Sequence, residues 1–387
     1  MAAQGVALSA SFDFDTPIDR RATASVKWEK YRDRDVIPMW VADMDFATAP
    51  CIIHELQRRV AHGVFGYSQP PDGLAATIAA ALERDYQWRI EPGWIVFLPS
   101  LVVGLNAVCR AFAAEGEDVL TAVPIYPPFL SAPEYGGRNC VRVPLDESAG
   151  RWTWDLDALE RAVTARSRVL LLCSPHNPTG RVWSRRELEA LAGFCTRHDL
   201  VLVSDEIHCG LVLDRDKAHV PAAVAGPEAA ARTVTLMSAS KTFNLPALGC
   251  AFAIVPSPPL RARLTRTMAG IVHHVGAMGL FATLAAYRDG REWQLALLDY
   301  LRANRDLVEQ AIAGIPGLRC FHPEATYLAW IDARGVADAA HRLEQAGVGL
   351  YDGALFGAPG YLRLNFACPR SRLNEALGRM HSALSGN

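Results

Sequence analysis

Little in this chain points outward to a large partner. Its 387 residues carry 39 Lys and Arg against 41 Asp and Glu, a formal net charge of −2. The two signs are interspersed rather than blocked, so no field of one sign exists to draw nucleic acid or an anionic membrane surface, and small molecules are the expected partners. Nine cysteines are present, yet none stands in a C-x-x-C pair or another metal-binding spacing. Cys109, Cys173 and Cys195 fall inside apolar patterns, where a thiol acts as a small hydrophobe, so reduced and mostly buried thiols are expected. No basic residue precedes Arg20, which leaves a secretory leader without its charged start. The most apolar long stretch, Ile271 to Tyr287, is broken by His273, His274 and glycines and reads as a buried helix, not a membrane span. A cytoplasmic protein is the expectation. Internal repeats and low-complexity tracts are missing as well.

Half of the residues are hydrophobic, enough for a large core. From Trp94 onward, short apolar runs alternate with helical periodicity, the pattern of right-handed βαβ units on a mainly parallel sheet. Strands are expected at Ile95–Pro99, Val119–Val123, Arg168–Cys173, Thr233–Met237 and Ala251–Val255, with a helix at Leu101–Ala114. Ser184 and Glu187 match a capping box ahead of a helix through His198. A long periodic segment from Arg291 to Ile315 would span roughly 35 Å and could join two domains. Beyond it, strands near 326–331 and 361–366 and helices near 336–346 and 371–384 suggest a smaller α+β unit. The expected division is an N-terminal segment, 1–46, associated with the small domain, a large domain at 47–290, and the small domain at 291–387.

Three apolar runs end in chemistry. Val169–Cys173 leads into Ser174-Pro-His-Asn-Pro-Thr-Gly180, Leu200–Val203 into Asp205-Glu206, and Thr233–Met237 into Ser238-Ala-Ser-Lys-Thr-Phe-Asn244. Ligands of parallel α/β sheets bind beyond the carboxyl ends of the strands, so Asn177, Asp205 and Lys241 can share one pocket. A lysine amine condenses with aldehydes, and a carboxylate can keep a pyridine nitrogen protonated so that the ring draws electrons. Lysine with aspartate therefore suggests pyridoxal phosphate. Asn177 would donate to the ring's phenolic oxygen, and the Ser238 and Ser240 hydroxyls suit a phosphate.

Taken singly, each residue has an ordinary reading: a surface lysine, a loop-capping Asp205, an Asn-Pro turn at Asn177. Their agreement is what carries the site. The helix starting at Leu101 offers free N–H groups to a phosphate, or only a solvated start. Tyr126, in Pro124-Ile-Tyr-Pro-Pro128, could stack on the ring or simply pack. Arg363 suits a substrate carboxylate, or a surface ion pair on a half-exposed strand. His208, Cys209 and the His273-His274 pair lack metal-ligand patterning; no chemistry is assigned to them and no metal is expected.

These segments resemble the fold-type I pyridoxal-phosphate enzymes of the aminotransferase superfamily, and more narrowly the cystathionine β-lyase or C–S lyase group of MalY and PatB type. The narrower match rests on Trp40-Val-Ala-Asp-Met-Asp-Phe46, Phe65-Gly-Tyr67, the Asn177, Asp205 and Lys241 motifs, and Arg363-Leu-Asn-Phe-Ala-Cys-Pro-Arg370. The resemblance implies an α/β fold whose large domain has a mainly parallel seven-stranded sheet sandwiched by helices. Lys241 would bond to the cofactor, Asp205 would face its ring nitrogen, Asn177 its phenolic oxygen, and Tyr126 would stack. Arg363, with Asn177 beside it, would bind the substrate carboxylate. The Leu101 and Val102 amides with Ser238 and Ser240 would hold the phosphate, and Tyr67 would reach it from a neighbouring subunit, implying a homodimer. Ser100, Gly210, Ala325 and Leu245-Pro-Ala-Leu-Gly-Cys250 depart from the group's usual text.

The expected activity is β-elimination of L-cystathionine or related S-substituted L-cysteines, giving thiol, pyruvate and ammonia. An aminotransferase acting between an L-amino acid and a 2-keto acid is the alternative. A regulatory, partner-binding role on the same scaffold is a third reading, from a different class.

Overall fold

The computed structural model describes residues 12–226 and 228–385; the first eleven residues of the expected N-terminal segment lie outside them. An eight-stranded sheet forms the centre, in the order Ile95–Leu98, Ala251–Ile254, Thr233–Met237, Val201–Asp205, Ser167–Cys173, Asp118–Val123, Asn139–Asp146 and Thr153–Trp154. Five consecutive strands, from Thr233–Met237 to Asn139–Asp146, pair in parallel, and Ala251–Ile254 runs antiparallel to both its neighbours. The eighth strand exceeds the seven expected: it is two residues long and folds back as a hairpin, with Trp154 opposite Leu145.

The continuous apolar runs follow from burial on both faces. Val169, Leu171 and Cys173 pack on one side of the sheet with Leu105 and Val108 of the helix Leu101–Phe112. Leu170 and Leu172 pack on the other with Leu188 and Leu191 of the helix Arg185–Arg197. That second helix opens with the expected capping box: Ser184 Oγ accepts the Glu187 N–H, and the Glu187 carboxylate accepts the Ser184 N–H. The helix Arg291–Ala313 leads to a four-stranded antiparallel sheet, in the order Arg319–Phe321, Leu328–Asp332, Tyr361–Asn365 and Tyr351–Asp352. The N-terminal segment joins this part through Ile37 and Pro38, which pair in parallel with Val348 and Gly349.

Two expected helices begin late. The stretch from Ile271 becomes helical only at Ala277, because Gly270 is left-handed (φ 76°) and Ile271 turns out into solvent. The segment after Val336 becomes helical at Ala339, behind Asp338 at φ 51°. Among the described residues no helix is long and apolar enough to cross a membrane.

One contact ties the two sheets together at the loop that carries Asn177. Gly180 has φ 72°, and a Cβ there would lie 2.8 Å from the Pro323 backbone. Its carbonyl accepts the Ala325 N–H, while the Glu324 carboxylate accepts the Val182 N–H and pairs with Arg181. Gly180→Ala adds left-handed strain of about 1–2 kcal/mol to a clash with backbone that cannot swing aside. We expect a lowered melting temperature together with weakened cofactor affinity, read by thermal denaturation and cofactor titration. Unchanged affinity would show that the Asn177 loop does not depend on this contact.

Candidate active site

Three neighbouring parallel strands, Ser167–Cys173, Val201–Asp205 and Thr233–Met237, end at the same edge of the sheet. Their ends bring Asn177, Asp205 and Lys241 into the lining of one cavity of ≈ 200 Å³, with Tyr126, Ser238, Ser240, Leu101 and Val102. Arg363 is not part of that lining but is tied to it: Nη1 donates to Asn177 Oδ1 at 3.0 Å. Tyr67 stands apart from the cavity, fully exposed on the loop after the helix Pro50–His62.

Lys241 Nζ donates to the Ala42 carbonyl at 2.6 Å. Burial lowers its pKa to about 8, and the Arg363 charge acts in the same direction against opposing pulls from Asp43 and Asp205. The amine therefore loses its proton far more readily than an ordinary lysine. Asp205 is buried at the floor of the site, with Oδ1 accepting the Ile207 N–H at 3.1 Å. Its pKa is pushed up to about 7, chiefly by burial, so an unpaired carboxylate is costly there and a cation placed against it is favoured.

Arg363 is buried on the strand Tyr361–Asn365, its guanidinium between the rings of Tyr351 and Phe356 at 4.9 and 4.8 Å. Its protein acceptors are neutral, Asn177 Oδ1 and the Trp40 carbonyl at 2.7 Å, and its buried Nε has no partner among the described residues. Burial pulls its pKa down only to about 10, which leaves it charged at neutral pH. The bond to Arg363 occupies Asn177 Oδ1 and leaves Nδ2 as the donor of that side chain. Tyr126 is held by its own N–H on the Asn177 carbonyl at 3.1 Å, and burial raises its phenol pKa, so the ring stays neutral.

At the other end, Ser100 caps the helix Leu101–Phe112 by accepting the Val103 N–H. The Leu101 and Val102 amides remain as the first-turn donors that an α-helix leaves without internal partners. Ser238 Oγ donates to the Cys250 carbonyl at 2.6 Å and accepts the Ser240 N–H, so its one proton is engaged within the loop. The Ser240 hydroxyl lies 2.9 Å from Ser238 Oγ and is the donor of that bond once the Ser238 proton is on Cys250.

Several lining residues had no role assigned from the sequence, His208 among them. His208 is buried and neutral, because burial and then the Lys241 and Arg363 charges hold its pKa well below the usual range. Its place three residues after Asp205 was the available signal. Ala42, Cys173 and Cys250 also face the cavity. The segment 40–46 closes one side by main-chain acceptors, and Asn244 Nδ2 fixes it through the Met44 and Phe46 carbonyls. The donor set suits pyridoxal phosphate: an amine of lowered pKa for the aldehyde, a buried carboxylate for the ring nitrogen, an amide donor for the phenolic oxygen, and helix-terminal amides for the phosphate.

Known proteins of the same shape were found along nearly the whole chain. A structure described as that of OvoB superposes with a TM-score of 0.95 at 47% identity, covering 97% of this chain and 100% of that one. Cystalysin from Treponema denticola, whose structure contains pyridoxal 5'-phosphate, gives 0.93 at 30% identity, covering 97% and 99%. Cystathionine beta-lyase PatB of Bacillus subtilis is 34% identical over 389 residues, 96% of this chain and 100% of its own length. Because the model of aminotransferase class I and II matches residues 34–380 as well, the chain belongs to that family.

Proposed function

We propose that the chain is a pyridoxal-phosphate-dependent carbon–sulfur β-lyase that cleaves L-cystathionine or a related S-substituted L-cysteine to a thiol, pyruvate and ammonia. The observation that carries this reading is a lysine of lowered pKa in one cavity with a buried aspartate, beside an arginine that meets only neutral acceptors. The likeness to the lyase PatB supports cleavage of a C–S bond over amino transfer.

When bound, the cofactor would supply an electron-withdrawing ring that stabilises negative charge developing at the substrate's α carbon. Asp205 would hold a proton on the ring nitrogen, where its own buried charge would gain a partner. Tyr126 would cover the ring, and Asn177 Nδ2 would donate to the phenolic oxygen. Ser240, Ser238 and the Leu101 and Val102 amides would hold the phosphate. Arg363 takes the substrate carboxylate, which replaces neutral acceptors with an ionic one. Lys241, with its lowered pKa, would take the Cα proton, the electron pair left on the substrate being stabilised by the ring until the β-thiolate leaves with the C–S pair. The remaining enamine hydrolyses to pyruvate and ammonia.

The same reading places the cofactor domain at 47–290, with 1–46 and 291–387 forming the smaller one. It also makes the protein a cytoplasmic homodimer. Val64, Phe65, Tyr67 and Ile271 leave apolar surface uncovered on one chain, which favours a second copy there. From that position Tyr67 would reach the partner's phosphate site. All nine cysteines are free, in keeping with a reducing compartment.

Incubation with L-cystathionine and no keto acid should release thiol and pyruvate in equal amounts. Turnover only with a keto acid would make the chain an aminotransferase instead. Lys241→Ala should lower the rate by at least about 10³-fold, and near-normal turnover would remove Lys241 from the mechanism. Arg363→Lys loses the bidentate fork and should raise KM by roughly 100-fold, with a smaller fall in kcat.

Asp205 gives a test on the cofactor-free chain. Its folded pKa of about 7 lies above the ordinary carboxylate value of 3.8, so the folded state binds more protons between these values. Stability therefore falls as pH rises through that window, by up to about 4 kcal/mol. Asp205→Asn should melt above the cofactor-free wild type at pH 8, and the gap should close as pH drops toward 4. A gap independent of pH would mean that the carboxylate is not strained by burial.

A further inference from the structure

Among the described residues the Ala42 carbonyl is the one acceptor that Lys241 Nζ finds, and a second donor shares it: Tyr327 Oη lies 2.9 Å away and donates its hydroxyl hydrogen. A carbonyl oxygen has two lone pairs, so the two donors together fill it. From this geometry we propose that the Ala42 carbonyl is the resting point of the lysine amine after it leaves the cofactor, and that Tyr327 is the positioning residue that keeps this carbonyl in place. The inference rests on the assignment of Lys241 as the base, but not on whether the later step is elimination or transfer.

A neutral amine has two N–H bonds and one lone pair. With one N–H fixed on Ala42, the lone pair is confined to a narrow range of directions instead of sweeping with the flexible four-carbon stem. Proton abstraction breaks the Cα–H bond, forms an N–H bond at Lys241, and leaves the electron pair on the substrate. Its rate depends on how often the lone pair faces that hydrogen.

A lysine bonded to the cofactor would give up its hydrogen bond to Ala42, which would leave Tyr327 as the side-chain donor to that oxygen. Its own placement is held under tension. Thr326, the residue before it, is fully buried with φ 73°, a conformation that a β-branched side chain rarely adopts. The Thr326 N–H donates to the Leu211 carbonyl, and its Oγ1 accepts the Leu328 N–H. These bonds maintain a strained backbone that aims Tyr327 at the 40–46 segment. The carbonyls flanking Ala42 are fixed separately, because Asn365 Nδ2 donates to both Val41 and Asp43. The acceptor is thus located by three side chains from the small sheet's side of the site: Tyr327, Asn365 and, through Trp40, Arg363.

The test uses the holoenzyme with L-alanine in D2O, which has an α hydrogen but no leaving group, and follows loss of the α-proton signal by NMR. Tyr327→Phe keeps the buried ring and removes only the hydroxyl. We expect exchange to slow by roughly tenfold, with the cofactor absorbance band and cofactor affinity unchanged. The primary isotope effect with α-deuterated alanine in H2O should grow, as proton transfer becomes slower relative to substrate release. A merely structural role would not produce that growth. Wild-type exchange and isotope effect in a variant that retains its cofactor would overturn the proposal.

Should Tyr327→Phe lose the cofactor, Asn365→Ser decides, since it loosens the Val41 and Asp43 carbonyls on either side of Ala42 without touching lysine or tyrosine. Slowed exchange with an intact band supports the proposal, and unchanged exchange overturns it. A wild type that exchanges alanine but releases no thiol from L-cystathionine would sink the lyase reading alone, whereas a wild type that exchanges nothing would sink both.

Discussion

Two basic groups, the half-buried Lys241 and the buried Arg363, lie within each other's electrostatic field, and the arrangement of the centre answers that repulsion. In water such a pair would cost little; in a cavity of low dielectric it costs more than either partner's isolated burial. Pairing each with its own carboxylate is the usual remedy, but here it would defeat the chemistry. A carboxylate on Arg363 would occupy the place of the substrate, and one bonded to Lys241 would keep the amine protonated. The acceptors are instead neutral: the Trp40 and Ala42 carbonyls and Asn177 Oδ1. They satisfy the donors without cancelling their charge. Lys241 yields its proton more easily as a result, while Arg363 stays cationic with one buried N–H that has no partner among the described residues.

Main-chain acceptors work only if the backbone that bears them is held from outside the cavity. That explains the density of bonds around 40–46. Arg20 pairs with Asp43 and Asp45 at 2.7 Å each, and Lys27, buried, lies 3.1 Å from Asp45. Asn244, Asn365 and Tyr327, none of them in the cavity lining, grip the same segment by its carbonyls. Individually, partly exposed ion pairs such as Arg20–Asp43 contribute little. Their value here is geometric, since each removes a direction in which the segment could drift. The Gly180–Pro323 contact does the same for the Asn177 loop, so the two sheets are linked at the points where the site's residues emerge.

How much of this was legible depends on where the signal resides. Asn177, Asp205 and Lys241 were readable because a side chain with distinctive chemistry follows a strand whose apolar run marks its own end. The Ser184 capping box was readable because it is a local pattern of two side chains. Ala42 was not, since its part is played by a carbonyl that every residue has. Tyr327 looks like one more aromatic on a buried strand, and the left-handed turn before it has no signal in a threonine. The short strand at Thr153–Trp154 was missed for a similar reason: two residues show no period. The helices Pro50–His62 and Leu74–Tyr86 precede the first strand of the central sheet, where the alternation that organised the reading had not yet begun.

The departures from the family's usual text become intelligible on the same terms. Ser100 substitutes a capping hydroxyl for the flexibility of glycine, and it leaves the Leu101 and Val102 amides free by spending its oxygen on Val103. Gly210 has no room for anything larger: a Cβ would stand 2.5 Å from Thr242 Oγ1 and 2.9 Å from Gln294 Nε2. An acidic side chain there would need the loop after His208 to move, and that loop supplies the Leu211 carbonyl that holds Thr326. Ala325, fully buried, meets Gly180 through its own N–H and has a right-handed or extended φ that needs no glycine. Each of these three changes falls on a supporting contact and is absorbed there, whereas Pro246, Gly249 and Cys250 of the remaining stretch line the cavity itself, so the groups that would meet cofactor and substrate keep their chemical types while the supports and part of the wall vary.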